Sequence, residues 1–150
     1  MAGGEPMGLK PMYLLDTNTV SEPTKKNPQE QVLTLLEAKG AFSAICSTVW
    51  FELLKGIYLL PEGGKKRSLS EYCYAKVQVD YPIIPYDDHC AAINADIYAR
   101  MLKNGTPVSP TDMQIAATAL ANNMIVVTRN TKDFESIQAE YSLCVENWFE

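Results

Sequence analysis

Five short apolar runs, separated by longer stretches with helical spacing, constrain the fold of this chain more than any other feature. The runs are residues 13–15, 42–46, 83–84, 125–127 and 143–145. Between them apolar residues recur every three or four positions, as in Val49, Leu53 and Ile57, which is the spacing of an amphipathic helix. Short apolar strands that alternate with helices form a parallel sheet covered on both faces. The pattern therefore predicts an α/β protein built on such a sheet.

Length and composition indicate one compact domain. The chain has 150 residues, of which 47% are hydrophobic and 21% are charged, and a chain of this size can bury a proper core. We expect residues 12–150 to form the domain, and residues 1–11, rich in glycine and proline, to be a disordered leader or an added extension. No apolar run approaches the roughly 20 residues needed to cross a bilayer, so we expect a soluble, cytoplasmic protein.

Charge and cysteine content narrow the class of function. The four cysteines are far apart and form no C-x-x-C pair, which indicates neither a zinc site nor a disulfide framework. The net charge of −5 is the wrong sign for holding nucleic acid by bulk electrostatics. Binding of any nucleic acid would therefore need local basic patches, such as Lys65, Lys66 and Arg67 at the start of a helix predicted over residues 62–81. The same cluster is equally well explained as a solvated face.

Three acidic residues stand where a parallel sheet would gather a binding site. Asp16 directly follows the first strand, and ligands of open sheets lie beyond the carboxyl ends of the strands. Glu52 lies among apolar neighbours, where a charge is costly unless it is paired or bound to metal. Asp112 follows Ser109 at the start of a helix. Each has an ordinary alternative: a helix cap for Asp16, a surface pair with Lys55 for Glu52, and a capping box for Asp112.

Asn130 and Asp133 follow the fourth strand and would share the same edge, although both residue types are common in turns. Several acids at one edge repel one another and raise at least one pKa unless a cation is bound. Ligation by oxygen atoms alone favours Mg²⁺, with Mn²⁺ as a possible substitute, and such an ion can activate water against a phosphodiester.

A phosphatase with an aspartyl nucleophile is disfavoured. Such an enzyme would need a second aspartate two residues after Asp16, and Asn18 occupies that position.

Five segments, in order, are similar to the motifs of one known family. They are YLLDTNTVS at 13–21, STVWFELLKGI at 47–57, GTPVSPTDMQIAATAL at 105–120, VVTRNTKDF at 126–134 and VENW at 145–148. Together they resemble the VapC-type toxins of the PIN-domain superfamily over residues 12 to 148. The resemblance implies a three-layer α/β/α sandwich with a mostly parallel sheet of four to five strands. It also implies a Mg²⁺-dependent endoribonuclease acting on structured RNA such as tRNA, and a small antitoxin partner.

The resemblance also assigns roles to residues. The metal-binding acids would be Asp16, Glu52 and Asp112. Thr17 would support Asp16 by a hydrogen bond. Apart from the resemblance, we expect Thr17 and the basic cluster of Lys65, Lys66 and Arg67 to contact the substrate. The fourth acidic position of the superfamily falls on Asn130, so Asp133 is the alternative. A homodimer is implied as well, and with the antitoxin a hetero-oligomer on operator DNA.

Ordinary explanations outweigh functional ones for the other residues singled out. We expect Asp96 and His89 to be helix-surface residues, and Trp50, Phe51 and Tyr58 to be core, dimer or antitoxin contacts. One alternative function stays open: a catalytically weak module that acts with its antitoxin as a DNA-binding transcriptional regulator. The neutral side chain of Asn130 and the net negative charge are what favour that alternative.

Overall fold

The computed structural model describes residues 10–150, and within them five strands form one sheet. The strands, β1 to β5 in chain order, are Tyr13–Leu15, Ser43–Cys46, Ile83–Ile84, Ile125–Val127 and Val145–Glu146. The α-helices, α1 to α8, are Thr17–Val20, Glu30–Lys39, Ser47–Tyr58, Gly64–Glu71, Gln78–Asp80, Asp88–Asn104, Pro110–Ala121 and Glu135–Gln138. Short 3-10 helices lie at Glu22–Thr24, Gly40–Phe42 and Thr131–Phe134, and a π-helix spans Tyr72–Val77. The predicted alternation of strands and helices is confirmed.

The sheet is parallel throughout and has the strand order β3-β2-β1-β4-β5. β1 lies at the centre, where Tyr13 pairs with Ser43 on one side and with Ile125 on the other. The chain therefore winds outward from β1 through β2 and β3, and then returns to place β4 and β5 on the opposite side. The direction of winding reverses between β1 and β4, and such a reversal opens a crevice at the carboxyl ends of the two strands.

Helices cover both faces of the sheet. Because crossovers between parallel strands are right-handed, the connections from β1 to β3 place α1 to α5 on one face, and those from β3 to β5 place α6 to α8 on the other. The fully buried core residues of the sheet include Leu14, Leu15, Ile45, Val126 and Val127. The three-layer α/β/α arrangement is therefore confirmed. Among the helices of residues 10–150, none is long and apolar enough to cross a bilayer.

The fifth strand begins later than predicted from the apolar run 143–145. The Leu143 amide donates to the Tyr141 carbonyl in a turn at 2.8 Å, so Leu143 is buried without pairing in the sheet. The Cys144 carbonyl accepts the Val126 amide at 3.0 Å, and regular pairing with β4 then continues to Glu146. An apolar run in the sequence indicates buried residues, and in this segment Leu143 is buried although it lies before the residues that pair with β4.

The helix predicted over 62–81 begins at Gly64 and ends at Asp80, with the π-helix Tyr72–Val77 in its middle. The hydroxyl of Tyr72 donates to the Val20 carbonyl at 2.6 Å, which ties this helix to the end of α1. The second strand starts one residue later than predicted, because Phe42 closes a 3-10 helix.

The cysteines are free thiols. Three of them are buried and Cys144 is exposed, and burial raises the pKa of the Cys46 thiol to about 11.

The leader predicted for residues 1–11 lies mostly outside the described residues. Lys10 and Pro11 belong to no helix or strand, whereas the amide and carbonyl of Met12 already bond to Phe42 and Ile125.

Candidate active site

Asp16 stands at the carboxyl end of β1, beside the crevice between β1 and β4, and is only 7% exposed. Both of its carboxylate oxygens are fixed. Oδ1 accepts the backbone N–H of Thr17 at 2.7 Å, and Oδ2 accepts the hydroxyl of Thr128 at 2.8 Å. Asp16 is also the N-cap of α1. The helix cap considered as an alternative is therefore present, and it does not exclude a role of the same carboxylate in the site.

Glu52 lies half-buried on α3, and its Oε1 accepts the hydroxyl of Thr17 at 2.9 Å. Within residues 10–150 no ion pair joins Glu52 to Lys55, so the surface-pair alternative is not realised. Thr17 does bond to Asp16, through its backbone N–H, and uses its hydroxyl for Glu52. A single threonine therefore holds two of the three predicted metal-binding acids.

Asp112 lies in the first turn of α7, where its backbone N–H donates to the Ser109 hydroxyl oxygen at 3.1 Å. The Ser109 cap read from the sequence is present, and the Asp112 carboxyl is half-buried. Burial raises the pKa of this carboxyl, and the charges of Asp16, Asp133 and Glu52 raise it further, against a lowering by Ser109. Asp16, Glu52 and Asp133 therefore lie near enough to Asp112 for their charges to act on it, and we call these four residues the acidic site.

Thr128 directly follows β4 and is completely buried. Besides donating to Asp16, its hydroxyl oxygen accepts Nδ2 of Asn18 at 3.2 Å and the backbone N–H of Asn130 at 3.1 Å. The Oδ1 atom of Asn18 in turn accepts the backbone N–H of Arg129 at 3.0 Å. This network locks the end of β4 onto the end of β1, with the Asp16 carboxylate at its centre.

Asn130 and Asp133 differ in what they bring to the site. Asn130 joins the network through its backbone and precedes the 3-10 helix Thr131–Phe134. Asp133 contributes charge, which raises the pKa of both Asp16 and Asp112. Of the two candidates for the fourth acidic position, Asp133 is therefore the one whose charge acts on Asp16 and Asp112.

The acidic site is not compensated by basic side chains. Burial is the largest cause of the raised pKa of Asp16, and the charges of Glu52 and Asp133 add to it, while hydrogen bonds from Thr128 and Thr17 oppose it. In the part of the chain that the structure describes, none of the four acids pairs with a lysine or arginine. A divalent cation would relieve this repulsion.

The donor set suits a hydrated ion. Across residues 10–150, no three acidic, histidine or cysteine side chains are close enough to ligate one ion directly. Each oxygen of Asp16 still has a free acceptor position, and Mg²⁺ usually takes one or two carboxylates and keeps several waters. The acidic site therefore fits Mg²⁺ or Mn²⁺ better than an ion that needs full enclosure by protein ligands.

The predicted basic cluster at the start of α4 does not act as a unit. Lys65 lines a cleft of about 260 Å³ that Glu52 also lines. Lys66 pairs with Glu62 at 2.8 Å, and Arg67 is exposed. Of the three, Lys65 is the one whose cleft is shared with the acidic site.

Asp96 and His89 lie outside the acidic site. Both line a surface depression together with Leu120, which is eight residues along α7 from Asp112, or about 12 Å at 1.5 Å per residue. The Asp96 carboxylate accepts a hydrogen bond from the Tyr141 hydroxyl. These contacts agree with the helix-surface roles expected for both residues.

The aromatic residues of α3 divide into two environments. Trp50 is half-buried and packs edge-to-face on Tyr74, with ring centroids 5.6 Å apart. Phe51 and Tyr58 are 60% and 58% exposed. Exposed aromatic side chains of this kind are enriched where protein surfaces meet.

Thr128 and Asn18 were not recognised as site residues from the sequence. Leu15 pairs with Val127 in the parallel register, so the residues that follow, Asp16 and Thr128, are neighbours. The available signal was a polar residue directly after each of two apolar runs. Using it requires knowing that β1 and β4 are adjacent.

A parallel sheet that gathers four carboxylates at its carboxyl edge defines a class of α/β/α proteins with an acidic binding site. The family model of the PIN domain matches residues 13–140. The chain belongs to the PIN domain family, and the acidic site occupies the edge where the order of its strands reverses.

Two relatives and one solved structure show the extent of the similarity. Toxin FitB of Neisseria gonorrhoeae is 35% identical over 126 residues, which cover 82% of this chain and 91% of that protein. The tRNA(fMet)-specific endonuclease VapC of Salmonella typhimurium is 30% identical over 138 residues, covering 91% of this chain and 97% of that protein. The structure of FitAB bound to an IR36 DNA fragment matches with a TM-score of 0.83 and 32% identity, covering 93% of this chain and 96% of that chain.

Proposed function

We propose that this chain is a metal-dependent endoribonuclease and the toxin of a toxin–antitoxin pair. The observation that carries the proposal is the convergence of four carboxylates, without a basic partner in the described residues, at the strand-order reversal of a PIN domain. The names of the relatives support it, since one is a toxin and another a tRNA-specific endonuclease. The substrate we propose is a structured RNA such as tRNA.

The contacts assign a part to each residue. Asp16, Glu52 and Asp112 would hold Mg²⁺, or Mn²⁺ in its place, partly through the waters that the ion keeps, and Asp133 would add negative charge to the site. When bound, the ion supplies an activated water and offsets charge on the scissile phosphate. Thr128 and Thr17 keep the Asp16 carboxylate in one orientation, which spares the cost of ordering it during the reaction.

We propose two protein partners, a second copy of the chain and a small antitoxin. The exposed Phe51 and Tyr58 on α3 offer surface for such contacts. The similar FitAB structure is a complex that also holds DNA, which supports a corresponding hetero-oligomer on operator DNA for this chain. Light scattering on the purified chain, alone and with the product of a neighbouring small gene, tests both partners.

Cleavage of total cellular RNA by antitoxin-free protein tests the activity. We expect discrete fragments with Mg²⁺ or Mn²⁺ and none with EDTA. Asp16→Asn and Asp112→Asn should abolish cleavage. Asp96→Asn is the matched control, because it makes the same chemical change on α6, outside the acidic site, and should cleave as the unchanged chain does.

The result that contradicts the proposal is intact RNA under every condition with a folded, metal-binding chain. In that case the alternative, a regulatory module that binds operator DNA with its antitoxin, becomes the function to test. Equal cleavage by Asp16→Asn and the unchanged chain would instead show that the acidic site is not the seat of activity.

A further inference from the structure

A polar cleft of about 490 Å³ lies next to the acidic site, beyond the carboxyl ends of β4 and β5. Its lining residues are Arg129, Asn130, Thr131, Lys132, Asp133, Asn147 and Glu150. Asp133 belongs both to this polar cleft and to the acidic site. A ligand that fills the polar cleft would therefore continue directly from a phosphate held at the acidic site.

Arg129 is held in the wall of the polar cleft by contacts that leave its charge available. Its backbone N–H donates to Asn18 Oδ1 at 3.0 Å, and its guanidinium lies over the Phe149 ring, 4.8 Å from the centroid. Within residues 10–150 the guanidinium makes no ion pair, and no hydrogen bond from it is formed. The guanidinium N–H groups are therefore free to grip a phosphate with two bonds.

Lys132 adds a second cation to the same wall. It is exposed and, in the described part of the chain, unpaired, in contrast to Lys66, which is neutralised by Glu62. Lys132 and Asp133 both line the polar cleft. Among the side chains that line the polar cleft, Asp133 and Glu150 offset the charges of Arg129 and Lys132, so recognition of an anion there depends on directed bonds rather than on a net positive field.

We propose that the polar cleft is a phosphate-binding subsite for the single-stranded RNA that flanks the cleaved bond. Arg129 grips a backbone phosphate through its fork of N–H groups, and Lys132 adds a point charge. Single-stranded bases stack on arginine planes as well as on aromatic rings, so the Arg129 guanidinium also offers a surface for the adjoining base. This assignment rests on the proposed function, because the polyanion it binds is the proposed substrate.

The test measures RNA binding apart from RNA cleavage. The probe is a fluorescein-labelled single-stranded RNA of mixed sequence, and its anisotropy is followed with the full chain carrying Asp16→Asn, over a series of KCl concentrations with Mg²⁺ present. A bidentate bond to a charged group corresponds to roughly a tenfold or larger change in affinity. We therefore expect Arg129→Ala to weaken binding about tenfold and to lower the salt slope by about 0.7, the value for one phosphate contact on a single strand.

Two further variants separate charge from geometry. Arg129→Lys keeps the charge and loses the fork and the stacking, so it should retain the salt slope and lose affinity. Lys76→Ala is the matched control, since Lys76 is an exposed lysine beside Asp80 at the opposite edge of the sheet, and it should bind RNA as the unchanged background does. An equal loss in Arg129→Ala and Lys76→Ala would overturn the subsite, and so would undetectable RNA binding by the Asp16→Asn background.

The outcomes also distinguish this inference from the proposed function. If the unchanged chain cleaves RNA while Arg129→Ala binds RNA normally, the function stands and the subsite is overturned. If no RNA is cleaved but Arg129→Ala still weakens RNA binding, the function fails and the subsite is supported. Binding of labelled poly-glutamate is measured in parallel with RNA binding. If Arg129→Ala loses poly-glutamate binding and keeps RNA binding, the polar cleft receives an acidic protein segment, and the RNA assignment is overturned.

Discussion

Replacing Thr128 with valine removes the hydroxyl that holds the Asp16 carboxylate and changes the shape of the side chain little. The hydroxyl donates to Asp16 at 2.8 Å and accepts hydrogen bonds from Asn18 and Asn130. Thr128 is completely buried, so water cannot readily replace the lost donor. A hydrogen bond to a charged group contributes about 1.5–3 kcal/mol.

The expected loss is roughly 2–3 kcal/mol of unfolding free energy, because the hydrogen bonds of the hydroxyl are lost. Valine fills the same volume, so no cavity adds to this cost. In a chain of this size 1 kcal/mol shifts Tm by about 2–4 °C, so Tm should fall by roughly 4–12 °C. The hydrogen bond from Thr128 also lowers the pKa of Asp16. Its removal should raise that pKa further and move the acid limb of the activity profile to higher pH.

Urea unfolding followed by circular dichroism measures the loss, and Thr118→Val is the matched control. Thr118 is equally buried, and its hydroxyl donates to the Gln114 carbonyl within α7 at 2.8 Å, a carbonyl that the helix already satisfies. Thr118→Val should therefore cost under about 1 kcal/mol. Thr128→Ser keeps the hydroxyl and should restore the pH profile. Equal losses of stability in the two valine variants would refute the reasoning that the bond to Asp16 carries the effect.

Three further predictions follow from contacts already described. Asp16→Asn should raise Tm at pH 7. The folded-state pKa of Asp16 is raised, so ionisation of its carboxyl destabilises the folded chain as pH rises through that pKa. The gain in Tm from Asp16→Asn should therefore shrink as pH falls to the ordinary carboxyl range. Mg²⁺ at 100 times its Kd should stabilise the chain by about 2.7 kcal/mol in thermal melts, reversibly with EDTA, and no shift in melts would contradict metal binding. Tyr72→Phe should cost about 1 kcal/mol in urea unfolding, because it removes the bond to Val20; Tyr81→Phe, which loses no hydrogen bond within the described residues, is the control and should be nearly neutral.

The strands were predictable because buried parallel strands read as continuous apolar runs. Their ends were less so, since apolar character reports burial and not pairing. Leu143 illustrates this: it is 5% exposed and yet lies before β5. The acids Asp16 and Glu52 could also be found, one from its place after a strand and the other from its apolar neighbours.

The contacts that organise the acidic site could not be read from the sequence. Thr128 and Asp16 are 112 positions apart, and Thr17 and Glu52 are 35 apart. Such pairings depend on strand order and helix placement, which periodicity does not encode. The basic cluster shows the same limit, because the pairing of Lys66 with Glu62 decides which lysine is available.

The position of β4 beside β1 makes the acidic site depend on residues from both ends of the chain, which has a consequence during synthesis. Asp16 and Glu52 leave the ribosome well before Asp112, Thr128 and Asp133 exist. Closing a loop of this length costs entropy that grows only slowly with length, but such distant contacts form late in folding. A partly made chain therefore has Asp16 without the Thr128 hydroxyl that fixes it, and we expect the acidic site to assemble only when β4 docks beside β1.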